Sequence, residues 1–187
     1  MEGLRIALAA LLLGGSALIT LGQRSNPRTV RDYFMLLPEK YFYLEMCLEE
    51  NRKKCRSIRE TYLERFLEVH DKKNGYLKAG GDGAQDRITM RMFKVNRKFP
   101  LFIVYSWGAE HDSYYFLEYR NRKWFNISKT KVVRYKKRYI YEIPRAGSTI
   151  PVIDQTEYDP AFGRGNRGNK LYDLVWNGQK FLIRRTR

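Results

Sequence analysis

Glu110-His111-Asp112 is the most reactive-looking cluster in this 187-residue chain. A histidine flanked by two carboxylates has the parts of a general base or a metal ligand. Adjacent residues of a hairpin loop diverge, however, and a metal site needs three or four convergent ligands. His70 is the only other histidine, which excludes a histidine-rich zinc centre. A solvated turn accounts for the cluster. Gly80-Gly81-Asp82-Gly83-Ala84-Gln85-Asp86 superficially resembles a Ca²⁺ loop but lacks the alternating acids and closing Glu of that device. It also lacks the Lys-Ser/Thr ending of a phosphate-binding loop, and a glycine-rich turn explains it. Ser148 has no Gly-x-Ser-x-Gly frame around it, and Asn126-Ile127-Ser128 is a glycosylation sequon that falls in an expected strand. These residues assign no catalytic group, no metal site and no cofactor.

The stretch that offers binding chemistry is Lys129–Arg138, KTKVVRYKKR, followed by Tyr139, Ile140 and Tyr141. Lys129, Lys131, Arg134, Lys136, Lys137 and Arg138 can pair with phosphate or carboxylate groups, while the tyrosines can stack on bases or sugar rings. Gly163–Lys170, GRGNRGNK, adds Arg164 and Arg167 on an expected flexible loop. A solvated face with the tyrosines in the sheet is the plainer reading of any one segment. The whole-chain excess of 36 Lys+Arg over 20 Asp+Glu, net +16, nevertheless favours an anionic partner.

The amino terminus narrows the choice of partner. Met1–Arg5 carries a positive charge, Ile6–Leu21 is apolar, and small residues precede Gln23, the layout of a signal peptide over 1–22. The alternative is an uncleaved membrane anchor. Export to a periplasmic or extracellular compartment favours anionic polymers and lipid head groups over nucleic acid as partners. Residues 23–187 are then expected to form a single domain with ample material for a core.

The elements that must position these groups read as follows. Thr29-Val30-Arg31-Asp32 is a capping box, and Val30, Phe34, Leu37 and Tyr41 recur at helical spacing. Helices are expected over about 29–37 and 39–49, with Pro38 between them. Cys47 and Cys55 would be about 12 Å apart in one unbroken helix, beyond the reach of a disulfide. Polar Glu49–Lys54 supplies a break, and Ser57-Ile58-Arg59-Glu60 reads as a fresh helix start, so a Cys47–Cys55 bond is expected in an exported chain. His70-Asp71-Lys72-Lys73-Asn74-Gly75 reads as a turn-rich stop to this third helix, and strands follow at about 76–79, 87–95, 101–107, 113–120, 123–128, 148–153, 171–176 and 180–185. Leu101, Ile103, Tyr105 and Trp107 alternate with apolar Phe102 and Val104, which predicts a central strand covered on both faces. Asn177-Gly178 predicts a two-residue type I′ turn, with Asn121-Arg122 a looser version of it. Lys129–Glu142 reads either as an irregular crossover or as a strand, and Asp154–Lys170 as a long loop.

DYFMLLPEKYF, NGYLKAGGDGAQ, FLEYRNRKWFNIS and KLYDLVWNGQKFLI together resemble a group of small exported bacterial proteins with no named activity. The resemblance implies export and one compact α+β domain, and it carries no catalytic residue across. The expected fold is therefore α+β, with short N-terminal helices packed on an antiparallel β-meander. The expected function is an exported, non-enzymatic module that binds an anionic envelope component or polymer. The alternatives are a small-substrate hydrolase using Glu110, His111 and Asp112 in a sheet concavity, or a sequence-tolerant nucleic-acid binder if the chain is not exported.

Overall fold

The computed structural model describes residues 26–44, 47, 52–81, 86–93, 99–108, 112–159 and 164–184. The expected leader at 1–22 lies outside them. The first helix, α1 (Val30–Phe34), begins at the capping box. The Thr29 hydroxyl accepts from the Asp32 amide at 3.2 Å, and the Asp32 carboxylate accepts from the Thr29 amide at 2.8 Å. After Pro38 only a 3₁₀ turn forms, Glu39–Tyr41, in place of the helix expected at 39–49. Phe42 is extended and, with Leu44, fully buried, so side-chain burial overrides helical spacing here. Residues 45, 46, 48 and 49 of that expected helix lie outside the described residues.

The next helix, α2 (Arg52–Phe66), starts five residues ahead of Ser57, and the expected capping box falls inside it. Glu60 there is engaged by Arg56 at 3.1 Å, an i,i+4 ion pair, instead of reaching back to a cap. Cys55 sits in the first turn of α2. Its Cα lies 4.3 Å from that of buried Cys47, so the two cysteines are at disulfide distance. Cys47 lies outside any helix, so no single helix holds the two cysteines apart.

Six strands then form an antiparallel sheet in chain order: β1 (Leu67–Asp71), β2 (Tyr76–Ala79), β3 (Arg87–Phe93), β4 (Leu101–Trp107), β5 (Asp112–Arg120) and β6 (Lys123–Asn126). Strand β1 follows α2 without a loop, where a turn-rich stop was expected from His70 onward. A third short helix, α3 (Ser128–Lys131), leads to a second antiparallel sheet of four strands. Its members are β7 (Ile140–Tyr141), β8 (Thr149–Asp159), β9 (Arg164–Trp176) and β10 (Phe181–Arg184), again in chain order.

The molecule is thus mostly antiparallel sheet, with few helices. The expectation of N-terminal helices on one meander needs correction in three respects: α2 runs straight into the sheet, α3 lies between strands, and there are two sheets. The alternation in β4 explains the second sheet. Phe102 and Val104 join a core with Tyr33, Phe34, Leu37, Tyr62 and Leu63. Leu101 and Ile103 join a separate core with Phe116, Tyr141, Ile150, Val152, Leu174 and Phe181. Polar ties link the layers: Arg91 donates to the Gly147 carbonyl at 3.1 Å, and Arg145 pairs with Asp71 at 3.0 Å. The Asp71 carboxylate also accepts from both nitrogens of Asn74, and these bonds with Arg145 hold it well below the usual carboxylate range.

Two turns differ from expectation. Asn121 and Arg122 both have positive φ, 48° and 58°, between paired Arg120 and Lys123, so this is the tight two-residue turn. At the other hairpin the pairing closes at Trp176 and Phe181, leaving a four-residue loop. There the Asn177 side chain accepts from the amides of Gln179 and Lys180, both at 2.9 Å, and Gly178 alone has positive φ. The expected loop over 154–170 is also mostly strand, because β8 and β9 stay paired through three register irregularities.

Arg122→Gly removes a side chain from a left-handed position and should stabilise the protein by about 0.5–1 kcal/mol, read as a raised urea midpoint. Replacing Cys47 and Cys55 together by serine should cost about 2–3 kcal/mol in the same assay, the value for closing so short a loop in the unfolded chain. An unchanged midpoint in non-reducing buffer would show that the pair is not bonded in solution.

Candidate polyanion interface

Strand β6 pairs with β5 only from Leu117 to Arg120, which leaves the rest of that β5 edge without a partner strand. An open edge is a template for unwanted pairing. The chain that follows β6 closes it. The Ile127 amide donates to the Phe116 carbonyl at 2.8 Å, and the buried Ser128 hydroxyl accepts from the Phe116 amide at 2.9 Å. Further back along β5, the Tyr135 hydroxyl donates to the Tyr114 carbonyl at 2.7 Å.

The same segment is tied to the second sheet. Val132 bridges to Phe181 in parallel, and the Val133 amide donates to the Phe181 carbonyl at 3.2 Å. The Tyr172 hydroxyl donates to the Arg134 carbonyl at 3.3 Å. The Tyr141 hydroxyl donates to the Lys136 carbonyl at 3.0 Å and accepts from the Lys136 amide at 2.9 Å. Burial pushes this phenol far above the usual tyrosine range, so it stays protonated and keeps donating. The segment from Ile127 to Tyr141 is therefore a fixed platform rather than a loose loop.

From this platform Lys129, Arg134, Lys136, Lys137 and Arg138 are exposed. Lys129, Arg134 and Lys137, with Val132 and Tyr135, line a shallow open hollow of about 500 Å³. Lys136 and Arg138 lie over the ring of Tyr139, at 5.3 and 5.7 Å from its centre. Lys131 is engaged elsewhere, its ammonium group pairing at 3.0 Å with the buried carboxylate of Glu118. That pair neutralises an acid in the middle of the cationic surface. The tyrosines do not offer stacking faces. Tyr139 and Tyr141 are buried, and Tyr135 stacks on Tyr141 with ring centres 5.6 Å apart.

Arg164 and Arg167 fall on β9, as Cα partners of Asp159 and Gln155. Their side chains lie outside the described residues. The stretch 154–170 holds three acids (Asp154, Glu157 and Asp159) against three cations (Arg164, Arg167 and Lys170), so it adds no net charge. Lys170 is in turn engaged by Asp173 at 2.9 Å. Glu110 and His111 lie outside the described residues, and Asp112 opens β5 on the surface. Residues 82–85 of the glycine-rich loop are likewise outside. Asp86 at its end is buried against Gly108, and its carbonyl accepts from the Tyr62 hydroxyl at 2.7 Å. Among the described residues no group of three His, Cys, Asp or Glu side chains is placed to hold a metal ion.

Three cations missing from the sequence expectation are Arg120, Arg122 and Lys123, all exposed at the β5–β6 turn. Arg120 stacks on Phe125 at 4.1 Å. A signal for them exists in the sequence: from Tyr119 to Tyr141 there are nine cations and no carboxylate. No family model, curated protein or solved structure matches the chain.

Arg134 is held at a left-handed φ of 55°. Arg134→Gly should leave the urea midpoint unchanged or raise it, while weakening retention on a heparin column. A lowered midpoint with unchanged retention would mean that Arg134 serves the fold and not the surface.

Proposed function

We propose that the protein is an exported, non-enzymatic module that binds an anionic envelope component or polymer through the platform from Lys129 to Arg138. The observation that carries this reading is the run of nine cations without a carboxylate between Tyr119 and Tyr141, on a backbone fixed by tyrosine hydroxyls. Uniform charge on a fixed scaffold attracts a polyanion without first having to order the cations. Lys129, Arg134, Lys136, Lys137 and Arg138 supply the charge, and Lys131 offsets Glu118 behind them.

Export fits the apolar leader at 1–22 and the cysteine pair at disulfide distance, since such bonds persist in oxidising compartments. On this reading residues 23–187 are the mature domain, periplasmic or secreted.

Binding to immobilised heparin, and to vesicles containing phosphatidylglycerol, should be retained at low ionic strength. With about four cations engaged, the dissociation constant should rise roughly a hundredfold between about 50 and 200 mM salt. Replacing Lys136, Lys137 and Arg138 together by alanine should weaken binding and flatten that slope. Absence of binding to either probe at low ionic strength would overturn the proposal.

A further inference from the structure

We infer that the ligand of this surface is a linear acidic polysaccharide lying along the β5 edge, and that the β5–β6 turn forms the far end of its site. This rests on the proposed polyanion reading and extends it in ligand class and in residues.

The geometry of the platform gives its length. Its contacts follow β5 in order: Tyr135 at Tyr114, Ser128 at Phe116 and Lys131 at Glu118. Arg120 and Lys123 come next, as the last paired residues of the hairpin. Tyr114 to Arg120 is six residues of strand, or about 20 Å. Lys129, Arg134 and Lys137 therefore gather around the hollow at one end of this line, and Arg120 and Lys123 stand at the other. The hollow beside Lys129, Arg134 and Lys137 opens outward, so it does not enclose a single anion. A chain with repeated charges can engage the whole line, and a lone phosphate or sulfate engages one part of it.

Two observations separate an acidic polysaccharide from other polyanions. Tyr139 and Tyr141 are buried, and half-buried Tyr135 has one face stacked on Tyr141, so the platform lacks the run of free aromatic faces on which single-stranded nucleic acid stacks its bases. A membrane surface would call for apolar side chains beside the cations. Of the exposed large apolar side chains among the described residues, Leu36 meets the band, its carbonyl accepting from the Trp124 indole at 2.8 Å, and Leu67 lies on β1 at the opposite edge of the sheet, so the band carries no broad apolar patch. Leu171 alone lies in the second sheet. Carboxylate or sulfate groups carried on sugars need only the cations, and the four arginines of the band match their planar or forked oxygens.

The test measures binding of the intact protein to heparin-derived disaccharide, hexasaccharide and dodecasaccharide at low ionic strength. Phosphatidylglycerol vesicles and oligothymidylate are run beside them. A second protein carries Arg122→Gly with Lys123→Gln, changes compatible with the turn. The dodecasaccharide should bind at least about tenfold tighter than the disaccharide, since the extra length adds contacts without a second association cost. The variant should lose most of that advantage, with its urea midpoint unchanged or raised. Equal affinity for all lengths, or an unaffected variant, would overturn the inference and leave the polyanion reading standing. Tighter binding to the vesicles or to oligothymidylate would overturn the choice of polysaccharide. No binding to any of the probes would remove the underlying reading as well.

Discussion

Phe102 and Val104 leave one side of β4 while Leu101 and Ile103 leave the other, and all four are fully buried. Each is worth roughly 1.5–3 kcal/mol when removed from water. A strand of this kind cannot lie on a one-sided sheet. One face must be covered by the amino-terminal segment, through Tyr33, Phe34, Leu37 and Tyr62, and the other by a separate layer. The second sheet supplies that layer, with Ile150, Val152, Leu174 and Phe181 directed at β3–β5. The chain reaches it only after finishing the first sheet, so a crossover from β6 to β7 is obligatory. The cationic platform is that crossover.

This origin explains why the cations are held firmly. A crossover between two sheets has to pass the rim of the first, and here the rim is the part of β5 that β6 leaves uncovered. Ser128 and Tyr135 satisfy backbone groups there that would otherwise face solvent or another chain. On its other side the same segment meets Tyr172 and Tyr141 from the second sheet. Nothing in these contacts requires lysine or arginine at the outward positions. The fold fixes the backbone through tyrosine and serine, and the remaining positions are open to selection for charge.

Much of the strand order is legible, because β2, β4, β5 and β6 are short runs with aromatic or aliphatic residues bounded by polar turns. The two-sided burial of β4 is legible because apolar residues stand at both its odd and its even positions. Local propensity alone misleads elsewhere. Val69 and His70 read as the end of a helix, yet they pair with β2 because tertiary pairing decides for so short a segment. The glycine-rich run at 163–170 reads as loop, and its pairing comes from β8 opposite it, which no local signal reveals. Asn177-Gly178 has the favoured turn dipeptide, but Asn177 uses its side chain to close a longer loop. The candidate cations of the crossover were legible as a basic run. That Lys131 serves Glu118, 13 residues before it, was not, because the pairing depends on how the crossover folds back along β5.

Placing several like charges on a fixed backbone raises the energy of the unliganded surface, since rigid cations cannot separate as they would on a mobile tail. The Lys131–Glu118 pair relieves part of that repulsion. On the proposed reading a bound polyanion relieves more. Solvent screening acts within about 10 Å at moderate salt, less than the length of the β5 edge the platform follows. Charges at the two ends of the band are therefore nearly independent of each other, while neighbours within it are not. A ligand that touches one end relieves only local repulsion, whereas one that runs the length of the edge relieves all of it. The covering of the β5 rim, which begins as a requirement of folding, thereby sets the length scale on which the proposed surface would discriminate.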